Sequence, residues 1–230
     1  MLDKYFFALK SQFEAAADDA KAAAEKRYMK NLFDYYGIKT PLRRELFTAF
    51  IKQHGLPPDN LLTDFAKQLW EQSEREWQYT CIDLLKKRAK NLPPETIDLY
   101  EYMVINKSWW DSVDGIASWL VGTHFKNYPE LIPITTERWM NSGNMWLQRT
   151  CLLYQLQYKT KTDTELLSSF ILRLSDSKEF FIRKAIGWIL REYSKTNPDW
   201  VMQFAENNEL SKLSRYEGLR IILKQRDELK

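Results

Sequence analysis

Trp110 and Asp114 stand four residues apart in the stretch WWDSVDGIASWLV, which begins at Trp109. On a helix that spacing makes them neighbours, so an indole face and a carboxylate project together. The pairing suits a positively charged guest, which gains from the π face and from the negative charge. It equally suits an aspartate that caps or ion-pairs beside a half-buried tryptophan, and the pattern alone leaves both readings standing. A second group lies in FFIRKAIGWILREYSK, from Phe180 onward. There Lys184, Trp188, Arg191 and Lys195 recur at helical spacing, one tryptophan among three cations. Cations neutralise phosphate and a ring packs on sugar or base, so the stripe fits a nucleic-acid backbone. It fits equally a solvated basic face with Trp188 packed on a neighbouring helix. Arg149 sits inside the largely apolar MWLQRTCLLYQL and needs a partner there, because a lone buried charge is costly. Either it pairs with Asp114 or Asp111, or it forks onto a phosphate.

The elements that must position these residues are marked by regular breaks. They read Leu56-Pro57-Pro58-Asp59, Leu92-Pro93-Pro94-Glu95, Tyr128-Pro129-Glu130, Thr162-Asp163-Thr164-Glu165 and Asn197-Pro198-Asp199. Proline fits the first turn of a helix and a carboxylate suits its positive end, so each break starts a helix. A short polar hinge then leads to a second helix, opening at Trp77, Trp109-Trp110, Trp146, Phe180-Phe181 or Tyr216. A less regular unit precedes His54, with Gly37-Ile38-Lys39-Thr40-Pro41 as its hinge. A two-helix unit recurring about every thirty-five residues predicts an all-α solenoid, a superhelix of stacked helix pairs. The tetratricopeptide pattern is absent, which leaves a HEAT-like stack, a single domain over 1–230 whose second helices line a concave groove.

Composition agrees with that frame. The chain has 230 residues, 44% of them hydrophobic, enough for a sizeable core, and only 7 Gly and 8 Pro, too few for an all-β protein. The formal charge of +3 does not by itself announce nucleic acid, but its distribution is uneven. Residues 141–162 hold Arg149, Lys159 and Lys161 with no carboxylate, whereas the first twenty lean acidic. Cys81 and Cys151 lie in apolar stretches and read as buried thiols of a reducing compartment. His54 and His124, the only histidines, are expected between helices, and no metal or cofactor site is expected. The N-terminus, MLDKYFFALK, enters an amphipathic pattern directly. With no apolar run long enough to span a bilayer, the expectation is a cytoplasmic protein, nucleoid-associated in a prokaryote, without a signal peptide or membrane contact.

Four separated motifs, in order, carry a family resemblance over nearly the whole chain. They are Arg27-Tyr28-Met29-Lys30-Asn31 with Gly37-Ile38-Lys39-Thr40-Pro41; Trp109-Trp110-Asp111-Ser112-Val113-Asp114; Gln148-Arg149; and Arg183-Lys184-Ala185-Ile186-Gly187-Trp188 with Leu190-Arg191-Glu192-Tyr193. Together they resemble the AlkD-like DNA glycosylases, the HEAT-like-repeat branch of the DNA alkylation repair enzymes. The resemblance implies excision of cationic alkylated bases, such as 3-methyladenine and 7-methylguanine, from double-stranded DNA. It implies that Asp114 is the catalytic carboxylate, that Trp110 and Trp188 cradle the lesion-bearing nucleotide, and that Arg149 binds phosphate. Tyr28 matches a groove tyrosine near the backbone. Lys39 departs from the pattern, standing where a glutamine faces the opposite strand; a DNA contact carries over to it, a base-stacking or wedging role does not.

The implied chemistry suits these side chains. Cleaving an N-glycosidic bond passes through an oxocarbenium-like sugar, which a nearby carboxylate stabilises. A ring-alkylated base is already cationic and leaves without a general acid, in keeping with a site that has no histidine. Asp114 also suits the positioning of the attacking water. No lysine neighbours Asp114 in the sequence for Schiff-base chemistry, so the expected enzyme is a monofunctional, monomeric glycosylase of base excision repair that binds DNA through Tyr28, Lys39, Arg149, Lys184, Arg191 and Lys195. Two other readings stand beside it: an inactive relative that binds distorted or branched DNA, and a protein-interaction scaffold.

Overall fold

The architecture follows from a computed structural model that describes residues 2–228. Those residues form helices and no strand; a single bridge joins Asp34 to Glu74. The chain divides into two compact units, Met1–Arg88 and Ala89–Lys230.

The first unit comprises α1 (Leu2–Ala15), α2 (Asp19–Tyr28), α3 (Thr40–His54), α4 (Asp59–Glu71) and α5 (Arg75–Arg88). Helix α5 packs on α3 and α4, and α1 packs on α3. Phe6, Leu9 and Phe13 recur at the spacing of one helix face and are buried, and Trp77 closes on them, its ring centroid 4.7 Å from that of Phe13. The segment entering α3 is pinned from below. The buried Glu76 carboxylate accepts hydrogen bonds from the backbone N–H of Tyr36 (3.2 Å), Gly37 (2.9 Å) and Ile38 (3.0 Å). Gly37 is required here: its φ is +82°, and a Cβ would lie 2.2 Å from the Asp18 carbonyl oxygen.

The second unit holds α6 (Thr96–Ile105), α7 (Trp110–Gly115), α8 (Gly122–Asn127), α9 (Leu131–Asn141), α10 (Met145–Leu153), α11 (Thr164–Leu174), α12 (Phe180–Tyr193), α13 (Pro198–Asn207) and α14 (Lys212–Glu228). A π-helical stretch, Ile116–Val121, joins α7 to α8 without a break, and two 3-10 turns, Tyr154–Gln157 and Lys159–Lys161, follow α10. Helix α9 pairs with α10 and α13 with α14, while α7, α10, α12 and α14 pack each on the next. This is the stacked helix-pair architecture the period predicts. Its first helices begin at Thr96, Leu131, Thr164 and Pro198, just after the sequence breaks. Two of the breaks work by side-chain capping. Asp163 accepts from the Leu166 N–H (2.9 Å), and Asn197, with Pro198 in the first turn, accepts from that of Trp200 (3.0 Å).

Helix α12 shows how packing sets the direction of a functional face. Ile182, Ala185, Ile186, Ile189 and Tyr193 are buried, as their spacing predicts. Each isoleucine contributes about 1.5–3 kcal/mol on burial, which holds the rotation of the helix. At about 100° per residue, Lys184, Trp188, Arg191 and Lys195 then fall on the side nearly opposite. A third face, at Gly187 and Leu190, receives α14: a Cβ on Gly187 would lie 2.5 Å from the Glu217 Cβ, so only glycine allows this approach.

Four details differ from the sequence reading. His124 lies not between helices but inside α8, fully buried and hydrogen-bonded through Nε2 to the Pro94 carbonyl (3.1 Å), and His54 is the last residue of α3. Trp109, whose spacing with Val113, Ile116 and Leu120 predicts a place in the core stripe of its helix, is instead the half-buried residue before α7. Helix α5 begins at Arg75 and α14 at Lys212, ahead of the aromatics that mark them.

Candidate active site

The site grows from two adjacent helices of the second unit. The side chain of Asn144 caps α10, accepting from the N–H groups of Trp146 (2.9 Å) and Leu147 (3.2 Å), and this start sets Arg149 in mid-helix facing α7. There Arg149 forks onto Asp114: Nε donates to Oδ1 at 2.8 Å and Nη2 to Oδ2 at 2.9 Å. Its Nη1 donates to the Phe181 carbonyl of α12, so one guanidinium ties three successive helices together. Of the partners the sequence leaves open for Arg149, the folded chain selects Asp114. The pair is largely withdrawn from water, with side-chain exposures of 5% for Arg149 and 15% for Asp114.

Burial pushes the Asp114 carboxyl above its ordinary 3.8; the Arg149 hydrogen bonds and charge oppose that push, and the Asp111 charge adds to it. A carboxylate accepts about four hydrogen bonds, and Arg149 takes two, so each oxygen keeps a lone pair for a guest. One turn on, the Ser118 hydroxyl donates to the Asp114 carbonyl oxygen (2.7 Å), inside the π-helical stretch that starts two residues after Asp114. Such stretches often mark functional positions in helices.

Under the pair lies an aromatic cluster that the sequence reading passes over. The rings of Trp109, Trp146 and Phe181 touch one another, with centroids 5.8 Å (Trp109–Trp146), 5.0 Å (Trp109–Phe181) and 5.1 Å (Trp146–Phe181) apart. Their sequence signal was the aromatic opening of three second helices. Trp110 and Trp188 differ from these. Both are half-buried, and among the described residues neither indole stacks on another ring or donates a hydrogen bond. Trp110 sits one turn before Asp114 on the same helix, and Trp188 two turns beyond Phe181 on the same face of α12.

The cations of α12 are all engaged. Lys184 (2.6 Å) and Arg191 donate to opposite oxygens of Glu217 on α14, and Arg220 adds its charge at 3.9 Å. These bonds and charges, that of Lys184 first, hold the Glu217 carboxyl below its ordinary range. Three cations on one carboxylate leave the patch beside Trp188 positive. Lys195 pairs with Glu192 at 2.5 Å. Tyr28 and Lys39 belong to the first unit. Tyr28 ends α2 and is 71% exposed, followed by Lys30 and Asn31 in left-handed conformation. Lys39 precedes α3 and donates to Glu25 at 2.6 Å. Among the described residues, no three His, Cys, Asp or Glu side chains group to hold a metal ion, and no helix is long and apolar enough to cross a membrane.

Stacked helix pairs presenting a buried carboxylate, two indoles without ring partners among the described residues and a positive patch define a helical-repeat protein with a candidate nucleic-acid interface. The chain belongs to the family described as DNA alkylation repair enzyme, whose model matches residues 9–222. It is similar to a solved structure described as a predicted DNA alkylation repair enzyme from Enterococcus faecalis, with 34% identity and a TM-score of 0.82, over 88% of this chain and 95% of that one. No curated protein matches the sequence.

Proposed function

We propose that the protein is a DNA glycosylase that hydrolyses the N-glycosidic bond of cationic alkylated purines, 3-methyladenine and 7-methylguanine, in duplex DNA. The observation that carries this reading is the buried Asp114–Arg149 fork one helical turn from Trp110, whose indole has no ring or hydrogen-bond partner among the described residues. In this reading Trp110 and Trp188 flank the lesion-bearing nucleotide, each ring face contributing about 0.5–2 kcal/mol to a cationic guest depending on desolvation. As the glycosidic bond lengthens, positive charge grows on the sugar, and the free lone pairs of Asp114 stabilise it. The departing base carries its own positive charge away and becomes neutral, so no acid is needed. Water, oriented by Asp114, adds to the sugar carbon and gives up its proton to the Asp114 carboxylate, which returns it to solvent. Arg149 has two duties that succeed each other: it keeps Asp114 ionised and aimed, and its remaining N–H groups face the incoming backbone. Lys184, Arg191 and Lys195, with Tyr28 and Lys39 of the first unit, supply phosphate contacts.

The test is release of free 7-methylguanine or 3-methyladenine from methylated duplex DNA. The expected result is excision by the wild-type protein and a loss of about 10²–10³-fold in Asp114→Asn, the cost of removing one electrostatic stabiliser. Salt-dependent duplex binding that Asp114→Asn leaves unchanged, with no base released by either protein, would establish a DNA-binding relative without catalysis instead.

A further inference from the structure

The lysines of residues 141–162 stay outside the site just described, yet they border a cleft of their own. The 3-10 turns after α10 and the last turn of α12 enclose about 340 Å³, lined among others by Lys159, Thr162, Glu192, Lys195 and Thr196. The Lys159 ammonium and the hydroxyls of Thr162 and Thr196 have no partner among the described residues. Glu192, the carboxylate on the wall, is spent on Lys195. Further cations stand close by: the Lys126 ammonium lies 4.4 Å from the centre of the Tyr158 ring, and Lys161 is near enough to push the Lys126 pKa down, after burial. Lys159 itself is held at φ +54°, a left-handed conformation that glycine or asparagine would adopt at less cost. A lysine kept there against its preference is the kind of strain that marks a functional position.

We infer that this cleft seats a phosphodiester of the DNA backbone flanking the lesion. Lys159 neutralises the phosphate and the two threonine hydroxyls donate to its oxygens. The inference rests on the DNA-binding part of the proposed function and not on catalysis.

Lys159→Gly tests it without endangering the fold, because glycine relieves the left-handed strain while removing the charge. Melting temperature is expected to hold or rise. Duplex affinity is expected to fall, and the slope of log affinity against log salt to become shallower by about 0.9, the loss of one phosphate contact. Duplexes carrying one neutral methylphosphonate at successive positions locate the contact. One position weakens the wild-type protein and not the variant, and Lys159→Arg restores that sensitivity. An unchanged salt slope in Lys159→Gly, or a loss spread evenly over all methylphosphonate positions, overturns the inference while leaving the glycosylase reading intact. Absence of salt-dependent duplex binding by the wild-type protein overturns both, whereas binding without excision overturns only the glycosylase reading.

Discussion

At the scale of the residue, the consequential fact is that Asp114 is buried and yet forked by Arg149. Burial raises its pKa above 3.8 and the Arg149 fork limits the rise. In the proposed reaction the ionised form stabilises the sugar, so the enzymatic rate falls as acid protonates it, and the raised pKa places that acid limb above the ordinary carboxylate range. Arg149→Lys exchanges a two-bonded fork for a point charge and moves the limb to still higher pH. Single-turnover excision against pH, corrected for spontaneous base loss, measures both. Arg149→Ala goes further, leaving an uncompensated carboxylate in a nearly dry site. The expected loss is about 3–5 kcal/mol of unfolding free energy, read from urea titration.

At the scale of the element, α12 carries the most constraint, since one face meets the core, one meets α14 and one holds Trp188. The approach of α14 depends on Gly187, and it brings Glu217 to Lys184 and Arg191. Gly187→Ala forces the helices apart; overpacking of this kind costs about 1–3 kcal/mol. The expected outcome is a lower melting temperature together with weaker duplex binding, because the cations flanking Trp188 lose the carboxylate that orders them. Helix α7 is constrained differently. Its continuation through a π-helical stretch was not legible, since WWDSVDGIASWLV satisfies an ordinary helical stripe at Val113, Ile116 and Leu120. Only contacts with the helices packed on it select the wider turn.

At the scale of the whole molecule, each unit carries one free, buried cysteine: Cys81 in the first and Cys151 in the second. Burial pushes both thiols well above their ordinary value of 9.0, so neither reacts until its surroundings open. Thiol labelling therefore reads the opening of each unit separately. In Arg149→Ala, labelling of Cys151 is expected to accelerate while that of Cys81 stays at the wild-type rate; mass spectrometry of the labelled peptides distinguishes them.

The amino-acid sequence by itself determined the helix pairs, because Pro, Asp and Asn at the breaks act locally through caps, and because the apolar spacing of Ile182, Ala185, Ile186 and Ile189 needs no distant partner to be read. It also singled out Trp110, Asp114, Arg149 and Trp188, through spacing and family resemblance. What it left open was every partnership across helices. The choice of Asp114 by Arg149, the service of one Glu217 to Lys184 and Arg191, and the burial of His124 inside α8 each join residues 26 or more positions apart, or depend on packing around them. Those contacts exist only once stacking has set the rotation of each helix, and that rotation is decided by the summed burial of many side chains rather than by any local motif.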